Sequence, residues 1–149
     1  MDAQQARELA SVDALGQAEL VASGELTAVE LLDAAITRLD AARGLNAVVA
    51  DLFDRGRRQA ASLDDSGALR TGEVGPLAGV PFLLKDLGAS LAGAPEVMGS
   101  RALKGYVPTE SSWVVDRYLD AGSRFCLCNA DPICRLNPTE ALTWRSGCA

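Results

Sequence analysis

Of the 14 basic residues in this 149-residue chain, only Lys85 and Lys104 are lysines; every other one is an arginine. An arginine stays protonated in any protein setting, whereas a desolvated lysine amine can shed its proton and act as a base. Lys85 closes the apolar run Leu77-Ala78-Gly79-Val80-Pro81-Phe82-Leu83-Leu84 and is followed by Asp86. Burial at the end of such a run would pull its pKa down toward the working range, which suits it to act as a base. A strand-end lysine reaching into solvent fits the same spacing, and periodicity leaves both readings open.

Other residue types narrow the chemistry. The chain contains no histidine, which removes the commonest general base and zinc ligand and excludes a His-dependent hydrolase. Ser111 and Ser112 sit where a helix is expected to begin, a position that favours serine for capping. Ser100 belongs to a turn. Cys126, Cys128, Cys134 and Cys148 all follow residue 125. They could form a metal-binding or redox module, but C-x-C with scattered partners is far from the C-x₂₋₄-C spacing of structural zinc sites. The other reading is four unpaired thiols in a loosely constrained tail.

These residues need a scaffold. Asp13 to Ser23 suits a short helix stopped by Gly24. Thr27 and Glu30 form a capping box, and Leu31, Leu32, Ala35, Ile36 and Leu39 make one apolar stripe that ends near Gly44. Residues 45–49 read as a strand or extended link. A third helix is expected over 51–61, with Leu52, Phe53 and Ala60 inward and Arg55, Arg57 and Arg58 outward. Residues 64–75 read as a loop. The run ending at Lys85 is a strand with Val80, Phe82 and Leu84 on one face and Leu83 and Lys85 on the other. Apolar residues on both faces predict cover on both sides, and Pro81 predicts an edge or entry position. Thr109 is expected to cap a helix running to Ala121, with Val114, Val115, Tyr118 and Leu119 buried and Gly122 as its stop, before a strand that starts at Phe125. This alternation is α/β or α+β.

Composition sets outer bounds. At 48% hydrophobic and 23% charged, the chain has the make-up of a globular domain. A net charge of −6 argues against nucleic-acid or anionic-membrane partners. No apolar stretch reaches the length of a membrane span, and residues 1–10 carry no basic segment followed by an apolar run. A reducing cytoplasm is the expected location.

Gly79-Val80-Pro81-Phe82-Leu83-Leu84-Lys85-Asp86 resembles the GVP-x-x-x-KD motif of the amidase signature family. The GVP-F-L-LKD form is similar to that of bacterial amidases and related hydrolases of linear amides. Residues 26–32 resemble the family's early helix and Leu45-Asn46-Ala47 the link after it. Met98-Gly99-Ser100-Arg101 and Pro108-Thr109-Glu110-Ser111 resemble the turn and helix cap beyond the lysine strand. The likeness keeps family order from about Asp13 to Gly122. It implies an α/β fold in which N-terminal helices precede the first strands of a mixed sheet covered by helices. It also implies a cofactor-free hydrolase of carboxylic amides. In that mechanism a neutral lysine, here Lys85, takes a proton from a serine in cis conformation, which deprotonates the nucleophilic serine. The resulting acyl-enzyme is released by water.

Both serines belong to a Gly/Ser-rich segment in the family, and the 149 residues contain none. The resemblance also weakens late: where the family reads GKTN-x-PE, residues 127–134 share only Pro132, although Asn137-Pro138-Thr139-Glu140 regains some likeness. Residues 1–122 are therefore expected to be the N-terminal part of an amidase-signature domain, truncated before its nucleophile. Residues 123–149 are expected to be a divergent cysteine-containing tail, degenerate or read partly out of frame. As an isolated chain it should be inactive toward its small-molecule amide substrate. An incomplete sheet exposes an edge and an apolar face, at a cost of about 25 cal/mol per Å² left uncovered. Self-association or a complementing chain at that edge is expected. The alternative function is that of a non-catalytic subunit.

Overall fold

The computed structural model describes residues 3–45, 47–122 and 124–129. Three helices lead: α1 (Ala3–Leu9), α2 (Ala14–Ala22) and α3 (Ala28–Ala41). The Asp13 carboxylate caps α2 by accepting from the Gly16 amide at 2.8 Å. The expected capping box opens α3: the Glu30 amide donates to Thr27 Oγ1 at 3.1 Å, and the Thr27 amide to Glu30 Oε2 at 2.9 Å. That backbone donor, reinforced by the Thr27 hydroxyl, holds the Glu30 pKa below its ordinary value. A more distant group also caps α3. Asp64 accepts from the Ala28 amide at 2.9 Å and the Val29 amide at 3.2 Å.

After α3 a 3₁₀ turn over Arg43–Leu45 leads to β1 (Val48–Asp51). The third expected helix is longer than its local pattern: α4 runs Phe53–Ser66 and α5 covers Ala68–Thr71. Much of the segment read as a loop over 64–75 is therefore helical. Gly67, at φ +71°, makes the sharp change of direction that ends one helix and opens the next. Arg55 also departs from expectation, since its Nη1 donates to the Ala92 carbonyl at 2.8 Å instead of pointing outward.

β2 (Pro81–Lys85), α6 (Trp113–Asp120) and β3 (Arg124–Asn129) form a strand–helix–strand unit. β2 runs parallel to β3, and β1 pairs with β3 antiparallel, giving a mixed sheet in the order β1-β3-β2. Pro81 is the first residue of β2, where its missing N–H is tolerated. The helix begins later than expected, at Trp113 and not at Thr109, because Ser111 and Ser112 are committed to the preceding loop. The Ala92 amide donates to Ser111 Oγ at 3.0 Å, and the Ser112 amide to the Ser90 carbonyl at 2.9 Å.

Two apolar clusters hold these elements. One joins α2, α3 and α4 through residues such as Val21, Leu31, Leu32, Ile36 and Leu63; the other packs Leu84 of β2 against Leu91, Ala94 and Val115. Only one face of β2 is covered by the described residues. Leu84 is 3% exposed and Leu83 is 42% exposed, so the expectation of cover on both faces fails here. Pro81 and Leu83 instead line a half-open cleft of about 530 Å³ opposite Ala14, Ala35, Arg38 and Ala42, whose short alanine side chains do not fill it. In α6 Val115 is fully buried, whereas Tyr118 is 37% exposed with its ring 5.1 Å from that of Phe82. Among the described residues, no helix is long and apolar enough to cross a membrane.

Candidate functional site

Lys85 ends β2 and lies in register with Asn129, the last residue of β3. This is the carboxyl end of the parallel β2–β3 pair, the side on which ligand sites in open α/β sheets form. The placement relies on a tight crossing at the start of β2. The Leu77 amide donates to the Ala121 carbonyl at 2.8 Å. A Cβ on Gly75 would lie 2.3 Å from the Ala121 carbonyl carbon, and one on Gly122 would lie 2.8 Å from the Ala78 nitrogen. Glycine at both positions lets the end of α6 pass directly over the chain entering β2.

The Lys85 side chain is exposed, not desolvated as the apolar run suggested. Strand parity explains this: Lys85 shares the face of Leu83, the face the described residues leave open. Asp86 takes the opposite side, as the alternation predicts, and is only 5% exposed. Its Oδ1 accepts from the Val97 amide at 3.0 Å, which returns the chain to the end of β2.

The loop between β2 and α6 is sewn together by backbone bonds. The Gly93 amide donates to the Pro108 carbonyl at 2.9 Å, and the Glu96 amide to the Tyr106 carbonyl at 3.2 Å. Met98 adopts φ +48°, a left-handed conformation unusual for a residue with a side chain. Glu96 is 4% exposed, and neither of its carboxylate oxygens has a hydrogen-bond partner among the described residues. The sequence carried a faint sign of this residue: Glu96 is the only charge between Asp86 and Arg101. Nothing local showed that it would be buried.

Ser111 and Ser112 tie this loop as described, and Ser100 Oγ accepts from the Ala102 amide at 3.3 Å to start a 3₁₀ turn over Arg101–Leu103. The Ser112 hydroxyl also donates to the Ser90 carbonyl at 3.5 Å, so each of the three hydroxyls takes part in a structural bond. Cys126 and Cys128 fall in β3, while Cys134 and Cys148 lie outside the described residues. Among the described residues, no group of three or more His, Cys, Asp or Glu is arranged to hold a metal ion.

Residues 30–131 match the Amidase family. The chain is 38% identical over 106 residues to one of the subunits of the glutamyl-tRNA(Gln) amidotransferase of Rhodospirillum rubrum, covering 70% of this chain and 20% of that protein. It is 37% identical over 113 residues to the 6-aminohexanoate-cyclic-dimer hydrolase of Pseudomonas sp. strain NK87, covering 74% of this chain and 21% of the hydrolase. A bacterial aryl acylamidase of the amidase signature enzymes superposes with a TM-score of 0.72 at 33% identity, over 81% of this chain and 25% of that one. The chain spans about one fifth of the length of the curated relatives it matches. With its GVPFLLKD segment inside the matched residues and its fold shared with solved members, the chain belongs to the amidase signature family.

Proposed function

We propose that this chain carries the lysine-bearing part of a hydrolase of carboxylic amides. The observation that carries the reading is the position of Lys85, the last residue of a family-matched strand, at the carboxyl end of the parallel β2–β3 pair. In this reading the Lys85 amine, neutral in the completed site, takes a proton from a bridging serine. That serine takes one from the nucleophilic serine, whose oxygen attacks the amide carbonyl. The amine leaves with the returned proton, and water then cleaves the acyl ester to give the acid. No cofactor enters this chemistry.

The reading requires two serines from a Gly/Ser-rich segment outside residues 1–149, in the same polypeptide or in a complementing chain. Residues 1–122 then act as the N-terminal part of the catalytic domain and residues 123–149 as a divergent tail. The 149 residues alone should show no turnover. A cytoplasmic setting suits four cysteines held as thiols.

A complementing partner is favoured by one further observation. Among the described residues β2 pairs only with β3, and Leu83, on the open face of β2, is 42% exposed. An unpaired edge and an exposed apolar face are together a ready surface for another strand or protein.

The test is to replace the corresponding first fifth of the Pseudomonas hydrolase with residues 1–129 and assay acid release from a linear aliphatic amide. The expected result is turnover by the joined protein and none by the 149-residue chain. A folded, monodisperse fusion without activity toward any amide would overturn the reading.

A further inference from the structure

We propose that Asp86 is a positioning residue for Lys85, holding the end of β2 so that the amine is presented on one fixed face of the sheet. The inference rests on the reading of Lys85 as the base and adds to it the group that orients the lysine. Along residues 83–86 exposure alternates: Leu83 is 42% exposed, Leu84 3%, Lys85 exposed again, and Asp86 5%. The strand's two-residue period therefore continues one residue past the ladder, and Asp86 is its last inward side chain. A carboxylate buried so deeply is costly unless a donor meets it. The Val97 amide does so at 3.0 Å, across 11 residues of sequence.

This single bond closes the loop back on the strand end. Val97 follows Glu96, whose amide is bonded to the Tyr106 carbonyl at 3.2 Å. Through Val97, Asp86 thus grips both arms of the 87–112 loop. The next residue, Met98, is held at φ +48°, a conformation that persists only where its surroundings fix it. The inward anchor keeps the strand's alternation going one residue past the ladder, and so sets the face from which the Lys85 side chain leaves. Asp86 itself touches no reacting atom.

Two conservative variants separate a geometric clamp from a charge effect. Asp86→Asn keeps a carbonyl oxygen at the same reach but removes the charge. Asp86→Glu keeps the charge but moves the oxygens outward by one methylene. The readout is the rate of Lys85 acetylation by an amine-reactive ester across a pH series, measured by peptide mass spectrometry against added Nα-acetyl-lysine. Hydrogen exchange at the Val97 amide is followed in parallel. The clamp predicts that Asp86→Asn stays within about twofold of the parent pH profile. It predicts that Asp86→Glu departs at least about fivefold, with Val97 exchanging roughly tenfold faster, as expected when a bond to a charged acceptor is lost. A parental profile in Asp86→Glu, with or without a change in Asp86→Asn, overturns the proposal. Acetylation involves no turnover, so an intact clamp in a fusion that fails to hydrolyse amides would count against Lys85 as base and not against Asp86.

Discussion

Replacing Asp64 by alanine should destabilise the chain by about 2 kcal/mol, although Asp64 lies 36 residues from the amide it caps. Two donors at the start of α3 depend on its carboxylate: the Ala28 amide at 2.9 Å and the Val29 amide at 3.2 Å. Ala28 is fully buried, so water cannot replace the lost acceptor there, whereas half-buried Val29 can be partly resolvated. One bond to a charged acceptor is worth roughly 1.5 kcal/mol and a partly resolvated one about 0.5 kcal/mol. Asp64→Asn keeps one acceptor oxygen and loses the favourable charge at the helix N-terminus, so it should cost about 1 kcal/mol. Urea unfolding monitored by circular dichroism measures both, read as midpoint shifts at constant m-value. The reasoning is refuted if Asp64→Ala falls within about 0.5 kcal/mol of the parent, or if Asp64→Asn costs as much as Asp64→Ala.

Two other predictions follow from local geometry. Gly75→Ala places a methyl group 2.3 Å from the Ala121 carbonyl carbon; it should cost roughly 3 kcal/mol, whereas Gly44→Ala, which meets nothing within 4 Å, should be nearly neutral by thermal melting. Equal effects of the two would contradict the crossing of α6 over the entry to β2. For Glu30 the folded-state pKa lies below the ordinary 4.5, first because the Thr27 amide donates to its carboxylate. A lowered folded pKa favours folding above the unfolded value, and that contribution disappears as pH falls through the folded one. Stability of the parent should therefore drop more steeply below pH 4.5 than that of Glu30→Gln, and parallel pH curves would refute the box as its cause.

What the sequence disclosed was local. The Thr27–Glu30 box is a three-residue spacing with its own chemistry, and the structure forms it as read. The run to Lys85 fixed the strand, its edge-entry Pro81 and the parity of Leu84 against Leu83. Cover of a face, in contrast, depends on what packs opposite it. Leu83 looks as apolar as Leu84 in sequence, yet the alanines of α2 and α3 leave a cleft beside it. Of the two readings the spacing left open for Lys85, the structure shows the exposed one, on the same face as Leu83. Thr109 and Ser112 are equally good caps on paper; the bonds from Ser111 and Ser112 to residues 90–92, some 20 positions back, decide where α6 begins. Asp64 as a cap for α3 and Glu96 as a buried carboxylate are likewise tertiary facts with almost no local signature.

The central claim is that Lys85 moves a proton in amide hydrolysis, and the most direct measurement is kcat/KM for Lys85→Met in the fusion that completes the fold. Loss of proton transfer to and from the serine pair should lower kcat by at least about 10³-fold with little change in KM, since the methionine keeps the apolar stem and lacks only the base. A Lys85→Met fusion that hydrolyses amides within tenfold of its parent would contradict the account.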